Sequence, residues 1–204
     1  MDAAHPGPDH RLERLTFFSD AVIAIAITLL VIELHAPHLP PGETGWHQLA
    51  ELGPEFFGFF LSFAVIGRFW VGHHAALAMM HRYDPRLLVP NLGFLMTTAF
   101  MPFATAFMSV NLGREVPTLF YNLTLTVLAL FNARIIFVAT AQDHAEHEPY
   151  AVEARDLRAR ALSVVVAALL AVAVTFVWPG ISQITLLAIP LLRMALARVP
   201  AVKA

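Results

Sequence analysis

The sequence predicts an all-α, polytopic membrane protein with six transmembrane helices. Of its 204 residues, 58% are hydrophobic and only 14% are charged, whereas soluble domains average about 45–50% and about 25%. The apolar residues are concentrated in stretches of roughly 20, the length at which a helix crosses the hydrocarbon core of a bilayer. This pattern excludes a disordered chain, which is poor in apolar residues, and favours a membrane-embedded one.

Composition and charge exclude several other classes of protein. The chain has no cysteine, which excludes a disulfide scaffold, a thiolate metal site and a thiolate nucleophile. Its net charge is −2, whereas a nucleic-acid-binding domain is basic, so we expect no nucleic-acid partner. The length fits one domain, and residues 1–204 are expected to form a single transmembrane unit.

Six apolar stretches are predicted to cross the membrane. They cover residues 17–34, 56–80, 87–110, 118–141, 161–178 and 181–197. The linker at residues 35–54 is rich in Pro and Gly, and the polar stretch at residues 142–160 is the longest in the chain; both are predicted to be loops. The sixth stretch is short and contains Pro190 and Arg193.

The distribution of basic residues predicts the orientation of these spans. With six spans, both termini lie on one side, and cytoplasmic loops carry the excess of Lys and Arg. The opposite side has only Arg114, while Arg68 and Arg134 lie within spans. We therefore expect both termini to be cytoplasmic, together with the remaining ten basic residues: Arg11, Arg14, Arg82, Arg86, Arg155, Arg158, Arg160, Arg193, Arg198 and Lys203.

One face of the first span carries a stripe of residues at helical spacing. Ile25, Thr28, Leu29 and Ile32 follow the i, i+3, i+4, i+7 pattern of a single helix face. Periodicity allows two interpretations, a packing face between helices or the lining of a pore, and does not separate them. Residues Ile23 and Leu30 lie about 140–160° from Ile25 on the helical wheel and are expected to face away from the stripe.

Asp20 lies within the first span, where a carboxylate needs a polar partner. At the bilayer centre such a charge costs about 2.5–3.5 kcal/mol, and less near the boundary. Trp70 and His74 are four residues apart and share a helix face, whereas His73 points about 100° away. The expected role of Asp20 and His74 is an interhelical clamp, with a proton relay or ion site as the alternative. The candidate partners of Asp20 are Arg14, Arg68, His74 and Asn91.

Four short motifs stand out in the first three predicted spans. They are RxxxFSD (Arg14, Phe18, Ser19 and Asp20), RFWVGHH (Arg68 to His74), the region of Asn91, and MPFAT (Met101 to Thr105). Together, at these places in a six-span chain, they resemble the signature of the transmembrane protein 175 family of potassium-permeable channels. The motifs lie in the first three spans, while the six-span layout covers the whole chain.

The resemblance implies a bacterial cell-membrane channel that is a homotetramer, with one six-helix unit per chain and the first helix lining a central pore. It places the pore constriction on Ile25, Leu29 and Ile32 and a polar, selectivity-setting layer on Thr28, so the pore interpretation of the stripe is favoured. Potassium is the implied permeant ion, without a cofactor, a catalytic residue or a resident metal. A polar cluster is implied for Arg14, Phe18, Ser19, Asp20, Trp70, His74 and Asn91.

The sequence contains no TVGYG filter, so a potassium preference would not come from stacked carbonyl rings and should be modest. The alternative function is a proton-coupled secondary transporter or a proton-permeable channel that uses Asp20 and His74. Transporters commonly show internal repeats with broken helices in matching positions, and the prolines at 90 and 102 are not mirrored in a second half. No nucleotide-binding loop, catalytic triad spacing or HExxH motif is present, so an enzyme is not expected.

Two other groups of polar residues have the side chains of metal ligands. Glu33, His35 and His38 follow the first span, where symmetric copies would form rings at a pore mouth, although a plain interfacial cap is favoured. A second group lies in the polar stretch 142–160, and a solvated surface is favoured there. It consists of Asp143, His144, Glu146 and His147.

Overall fold

The chain folds into a bundle of long helices. The structure, a computed structural model, describes residues 9–39, 41–42, 44–141, 148–189, 192 and 194. The α-helices are α1 (His10–Leu29), α2 (Trp46–Glu51), α3 (Gly53–Ala78), α4 (Leu88–Val110), α5 (Glu115–Ala139) and α6 (Glu148–Thr175). Short 3-10 helices cover Leu30–Glu33, Pro85–Leu87 and Pro179–Ala188.

Helix α1 begins seven residues before the predicted span. The carboxylate of Asp9 accepts a hydrogen bond from the backbone N–H of Arg11 at 2.9 Å, and this bond caps the free N–H groups of the first turn. The helix therefore starts at His10. The predicted boundary at residue 17 marks where the helix becomes apolar, which is a different property from where the backbone becomes helical.

Both segments predicted to be loops contain helix. The linker at 35–54 includes α2, and α3 already begins at Gly53. In the polar stretch 142–160, residues from Glu148 onward form the first turns of α6, where Asp156 and Arg160 make an ion pair one turn apart at 2.5 Å. Such i, i+4 pairs stabilise a polar helix surface. The loop predicted from the charged residues is therefore wrong from Glu148 onward.

Helices α4 and α5 form the centre of the bundle and approach each other closely. A Cβ atom on Gly93 of α4 would lie 2.5 Å from the ring of Phe131 on α5, so the absence of a side chain permits this contact. Helix α3 meets α4 in a similar way, since a Cβ on Gly58 would lie 2.8 Å from the Cβ of Ser109. Helix α1 packs against α3 and α4 at the edge of this group.

Among the described residues, five helical segments are long and apolar enough to cross a membrane. They are His10–Glu33, Gly53–Ala78, Pro85–Val110, Glu115–Ala139 and Tyr150–Thr175. The chain is thus an all-helical, multi-pass membrane protein, as predicted. At the predicted sixth span, residues Pro179–Ala188 form a 3-10 helix. Residue 190, residue 191, Arg193 and residues 195–204 lie outside the described residues, so the six-helix count stays a prediction.

Candidate pore-lining surface and polar cluster

The stripe runs along α1, ends at Ile32 in the 3-10 helix that follows, and faces outward from the bundle. Ile25, Leu29 and Ile32 are 59%, 38% and 64% exposed, whereas Ile23 and Leu30 on the opposite face are 3% and 1% exposed. In the most apolar part of α1 only 22% of the residues are buried, against 67% in α5. The stripe is therefore no packing face within the described part of this chain, and it is available to other copies, to lipid or to a pore. Ile23 and Leu30 face away from the stripe, as expected, but they lie in the core of the bundle and not on an outer surface.

Thr28 is the only hydroxyl-bearing residue on this stripe, and it is exposed. Its Oγ1 donates a hydrogen bond to the backbone carbonyl of Ile25 at 2.8 Å. Because the hydroxyl proton is used in this bond, the lone pairs of the oxygen remain available as acceptors. The side chain can therefore present an oxygen atom to a cation.

One half of the polar cluster is buried between α1, α3 and α4. The Nδ2 of Asn91 donates to the Oγ of Ser19 at 2.9 Å, and that hydroxyl donates in turn to the carbonyl of Leu15 at 2.8 Å. The Oδ1 of Asn91 lies 2.8 Å from the Nε2 of His73. The ring of His73 stacks on Phe94, with 5.0 Å between ring centroids. Asn91 thus connects all three helices.

The other half of the cluster is more exposed and joins α1 to α3. The Oδ1 of Asp20 accepts a hydrogen bond from the indole Nε1 of Trp70 at 2.9 Å, a partner that was not among the four expected. The ring of His74 lies beside that indole at 5.6 Å between centroids, as the shared helix face predicted. Arg14 and Phe18 are exposed on α1, on the same side of the helix as the stripe.

The structure therefore brings most of the predicted cluster together but gives His73, rather than His74, the bond to Asn91. His73 is fully buried, while His74 is exposed. A signal for this was present in the sequence, because Ile66, Phe69, His73 and Ala76 follow the spacing of one helix face. Because His73 lies within this apolar stripe and His74 does not, His73 is the histidine expected to face the core.

A further contact anchors the start of α1 to the segment after α3. The Oδ2 of Asp9 accepts a hydrogen bond from the backbone N–H of Tyr83 at 2.6 Å, in addition to the cap on Arg11. These N–H donors, that of Tyr83 foremost, hold the pKa of the Asp9 carboxyl below its usual value. Sequence reasoning missed this link because it joins residues 74 positions apart.

The other candidate ligands do not form a metal site in the described part of the chain. Glu33 is half-buried, and its backbone carbonyl lies 3.1 Å from the Nδ1 of His35, which is exposed, as is His38. No group of three or more His, Asp or Glu residues that could hold a metal ion occurs among the described residues. Asp143, His144, Glu146 and His147 lie outside the described residues.

Residues 14–102 match the family model described as the endosomal/lysosomal potassium channel TMEM175. The matched segment begins at Arg14 and includes α1 from that residue onward, all of α3 and the part of α4 that carries Asn91. It therefore covers the stripe and both halves of the polar cluster.

Curated proteins from bacteria show the same similarity. A protein named a potassium channel in Streptomyces collinus is 36% identical over 121 residues, which is 57% of this chain and 59% of that protein. One of the same name in Chamaesiphon minutus is 35% identical over 134 residues, 63% of this chain and 66% of that protein. This chain therefore matches less than two thirds of the length of each of these two relatives. A cattle protein named the endosomal/lysosomal proton channel TMEM175 is 33% identical over 78 residues, 34% of this chain and 16% of that protein.

A solved structure is similar over nearly the whole chain. It is the crystal structure of a homologue, from Chamaesiphon minutus, of the lysosomal potassium-selective channel TMEM175. The two share 27% of their sequence with a TM-score of 0.76, and the superposition covers 93% of this chain and 99% of that chain. The similarity therefore extends beyond the segment matched by the family model.

Proposed function

We propose that this chain, which belongs to the TMEM175 family of channels, forms a potassium-permeable cation channel. The observation that supports this most directly is the exposed α1 stripe, an apolar surface interrupted by one oxygen-bearing side chain. An amphipathic helix of a globular protein packs its apolar stripe against the core, whereas here the core contacts the opposite face of α1. The names of the two bacterial relatives point to potassium as the permeant ion.

The channel is a homotetramer with the four α1 helices around its axis. One chain offers a single pore-lining stripe, and closed rotational symmetry is the usual way to surround an axis with identical stripes. The hydrogen bonds of Ser19 and Asp20 to α4 and α3 fix the rotation of α1. They thereby turn the stripe toward the axis.

The narrowest part of the pore is formed by Ile25, Leu29 and Ile32. Four copies of a branched apolar side chain leave little room for a hydrated cation and offer no oxygen in exchange for its water, so such rings restrict conduction by dewetting. Thr28 supplies the hydroxyl oxygens between them. Because these are few and mobile compared with stacked carbonyl rings, the preference for potassium over sodium is modest.

The channel lies in a bacterial cell membrane with both termini in the cytoplasm. The support for this orientation is the excess of Lys and Arg on the side of the N-terminus and the α5–α6 connection. The relatives that carry the potassium channel name come from bacteria. The membrane therefore serves as the barrier across which potassium flows passively.

Recordings from the purified protein in planar bilayers test this function. With potassium as the only cation, at different concentrations on the two sides, we expect unitary currents that reverse near the potassium equilibrium potential. Ile25→Ala should give a larger current because the ring becomes wider. Thr28→Val should mainly change the reversal potential in mixed potassium and sodium, since it removes the hydroxyl and keeps the shape. The control is Val116→Ala, at a residue of α5 that is 67% exposed, because α5 makes no contact with α1 among the described residues.

Two outcomes contradict the proposal. Ion movement without unitary currents would indicate a carrier, and an effect of Val116→Ala as large as that of Ile25→Ala would contradict α1 as the pore lining. Ile23 and Leu30 do not serve as controls, because both lie in the core and their truncation would destabilise the bundle.

Proton permeation is the second candidate function. Relatives in animals are named proton channels, and Asp20 and His74 both contact Trp70 near the exposed face of α1. Under a pH gradient with equal potassium on both sides, a proton current shifts the reversal potential away from zero. If Asp20→Asn abolishes that shift and leaves the potassium current intact, the carboxylate carries protons. If the shift is absent from the unaltered protein, this candidate is excluded.

A further inference from the structure

Two arginines lie at the surface of the bundle near the end of α5. Arg134 is on α5 and is exposed, and Arg158 is on α6 and is half-buried. The guanidinium carbon of Arg158 lies 5.4 Å from the centre of the Phe137 ring, and Phe137 follows Arg134 at the i, i+3 spacing that makes helix side chains neighbours. The two cations therefore flank one aromatic ring. Helix α1 makes no contact with α5 among the described residues, so this pair is separate from the proposed pore.

Neither arginine has an acidic partner in the described part of the chain. Arg134 makes no hydrogen bond or ion pair there. Arg158 donates from its Nε to the Oγ1 of Thr140 and from its Nη2 to the carbonyl of Thr140, both at 2.7 Å. These two bonds to neutral oxygens leave three of the five guanidinium N–H groups free. No acidic residue lies three or four positions from either arginine, where a helix would bring it within reach.

The position of the pair along α5 corresponds to the headgroup boundary of a bilayer. Helix α5 has 25 residues, or about 37 Å, so each end extends about 4 Å beyond a hydrocarbon core of about 30 Å. Thr140 follows the last residue of the helix, which places the Arg158 guanidinium outside the core. Arg134 precedes that end by about 7.5 Å and lies about 4 Å inside the core. A long arginine side chain crosses such a distance to reach the interface.

The surface between the arginines and the middle of the membrane is apolar. Leu130 and Val127 are exposed on the same face of α5 as Arg134, and Val127 is the middle residue of that helix. Leu162 is exposed one turn after Arg158 on α6. From the headgroup boundary to Val127 the distance is about 15 Å, which is half of the hydrocarbon core. An acyl chain of one leaflet therefore matches this surface in length.

We propose that this surface of α5 and α6 binds an anionic phospholipid. Its phosphate accepts hydrogen bonds from Arg134 and Arg158, and one acyl chain lies against Leu130 and Val127. The planar guanidinium group matches the geometry of a phosphate, and basic sites between transmembrane helices are typical for such headgroups. A phosphatidylcholine headgroup fits less well, because its ammonium group carries the same charge as the two arginines.

Native mass spectrometry of the full-length protein with equal amounts of phosphatidylglycerol and phosphatidylcholine tests the proposal. We expect selective retention of phosphatidylglycerol. Arg134→Gln should bind it about fivefold more weakly, and Arg134→Gln/Arg158→Gln about 25-fold more weakly. The matched control is Arg11→Gln, since Arg11 is an exposed arginine on α1, which makes no contact with α5 among the described residues. This control should leave binding unchanged.

The single variant keeps the test decisive if the double variant does not fold. Arg134 is exposed and bonds to no described residue, so Arg134→Gln should fold even if the loss of the bonds from Arg158 to Thr140 destabilises the protein. Glycerol phosphate carries the anionic group without acyl chains, and at equal concentration it should not displace phosphatidylglycerol.

Five results overturn the proposal. They are retention of neither lipid, equal retention of both lipids, undiminished binding in Arg134→Gln, an equal loss in Arg11→Gln, and displacement by glycerol phosphate. The last would indicate a site for a free anion. None of these results depends on conduction, so they are independent of the proposed channel.

Discussion

Two adjacent histidines in α3 occupy very different environments. His73 is buried, bonds to Asn91 and stacks on Phe94, while His74 is exposed beside Trp70. Removal of His73 would take away the shorter contact of the Oδ1 of Asn91, at 2.8 Å, and leave only the longer one with the Oγ of Ser19 at 3.3 Å, a hydroxyl that also donates to Leu15. A buried polar group left unpaired costs about 1–3 kcal/mol, whereas an exposed side chain can be removed at little cost.

We therefore expect His73→Ala to lower the thermal stability of the detergent-purified protein, with a loss of about 1–3 kcal/mol in unfolding free energy. His74→Ala is the matched control and should change the melting temperature little. The measurement is thermal unfolding followed by the fluorescence of the native tryptophans. A larger loss for His74→Ala would mean that the bond between His73 and Asn91 does not stabilise the bundle.

At the scale of single helices, the close approach of α3 to α4 depends on Gly58. A Cβ there would lie 2.8 Å from the Cβ of Ser109, whereas a Cβ on Gly67 of the same helix meets no atom within 4 Å. Gly58→Ala should destabilise the protein by about 1–3 kcal/mol through overpacking. Gly67→Ala should instead be neutral or stabilising by up to about 1 kcal/mol, because alanine favours the helix. Thermal unfolding of both variants checks this, and equal melting temperatures would exclude close packing at Gly58.

The start of α1 should make stability depend on pH. The bonds from Tyr83 and Arg11 lower the pKa of Asp9 in the folded protein, so the ionised carboxylate stabilises the fold above its unfolded pKa of about 3.9. This contribution is lost as pH falls through the folded pKa. Asp9→Asn keeps a helix cap but cannot accept both bonds. Its melting temperature should be lower than that of the unaltered protein at neutral pH, and the difference should shrink toward about pH 3. A difference independent of pH would contradict this.

The helices show which features a sequence can predict. The α1 stripe was predictable because a period of 3.6 residues places Ile25, Leu29 and Ile32 on one face whatever surrounds it. The starts of α1 and α6 were not predictable, because the apolar pattern marks only the part of a helix that crosses lipid. Both helices begin in polar residues, which the Asp9 cap stabilises in α1 and the Asp156–Arg160 pair in α6. The choice between His73 and His74 required the rotation of α3, which short motifs do not fix.

At the scale of the whole molecule, the proposed assembly accounts for the composition of the exposed face of α1. The stripe is as exposed as a lipid-facing surface, yet it carries Thr28 at its centre and continues from Arg14 and Phe18 on the same side of the helix. A lipid-facing helix has no need for this combination. A fourfold axis along the stripe gives each of these residues a role, with the arginine at the pore entrance and the isoleucines within it.

Cross-linking at the stripe tests the assembly directly. The chain contains no cysteine, so Ile25→Cys introduces a single thiol, which the proposed symmetry places next to three others around the axis. Because each chain carries one thiol, a short bismaleimide should join the chains in pairs, as measured by denaturing gel electrophoresis after reaction in membranes, while native mass spectrometry of the same cross-linked protein should show four copies. Val116→Cys on α5 is the control, since Val116 is 67% exposed but distant from α1, and it should give mainly single chains. A native mass of only two copies, or equal cross-linking from Val116→Cys, would rule out a tetramer centred on α1.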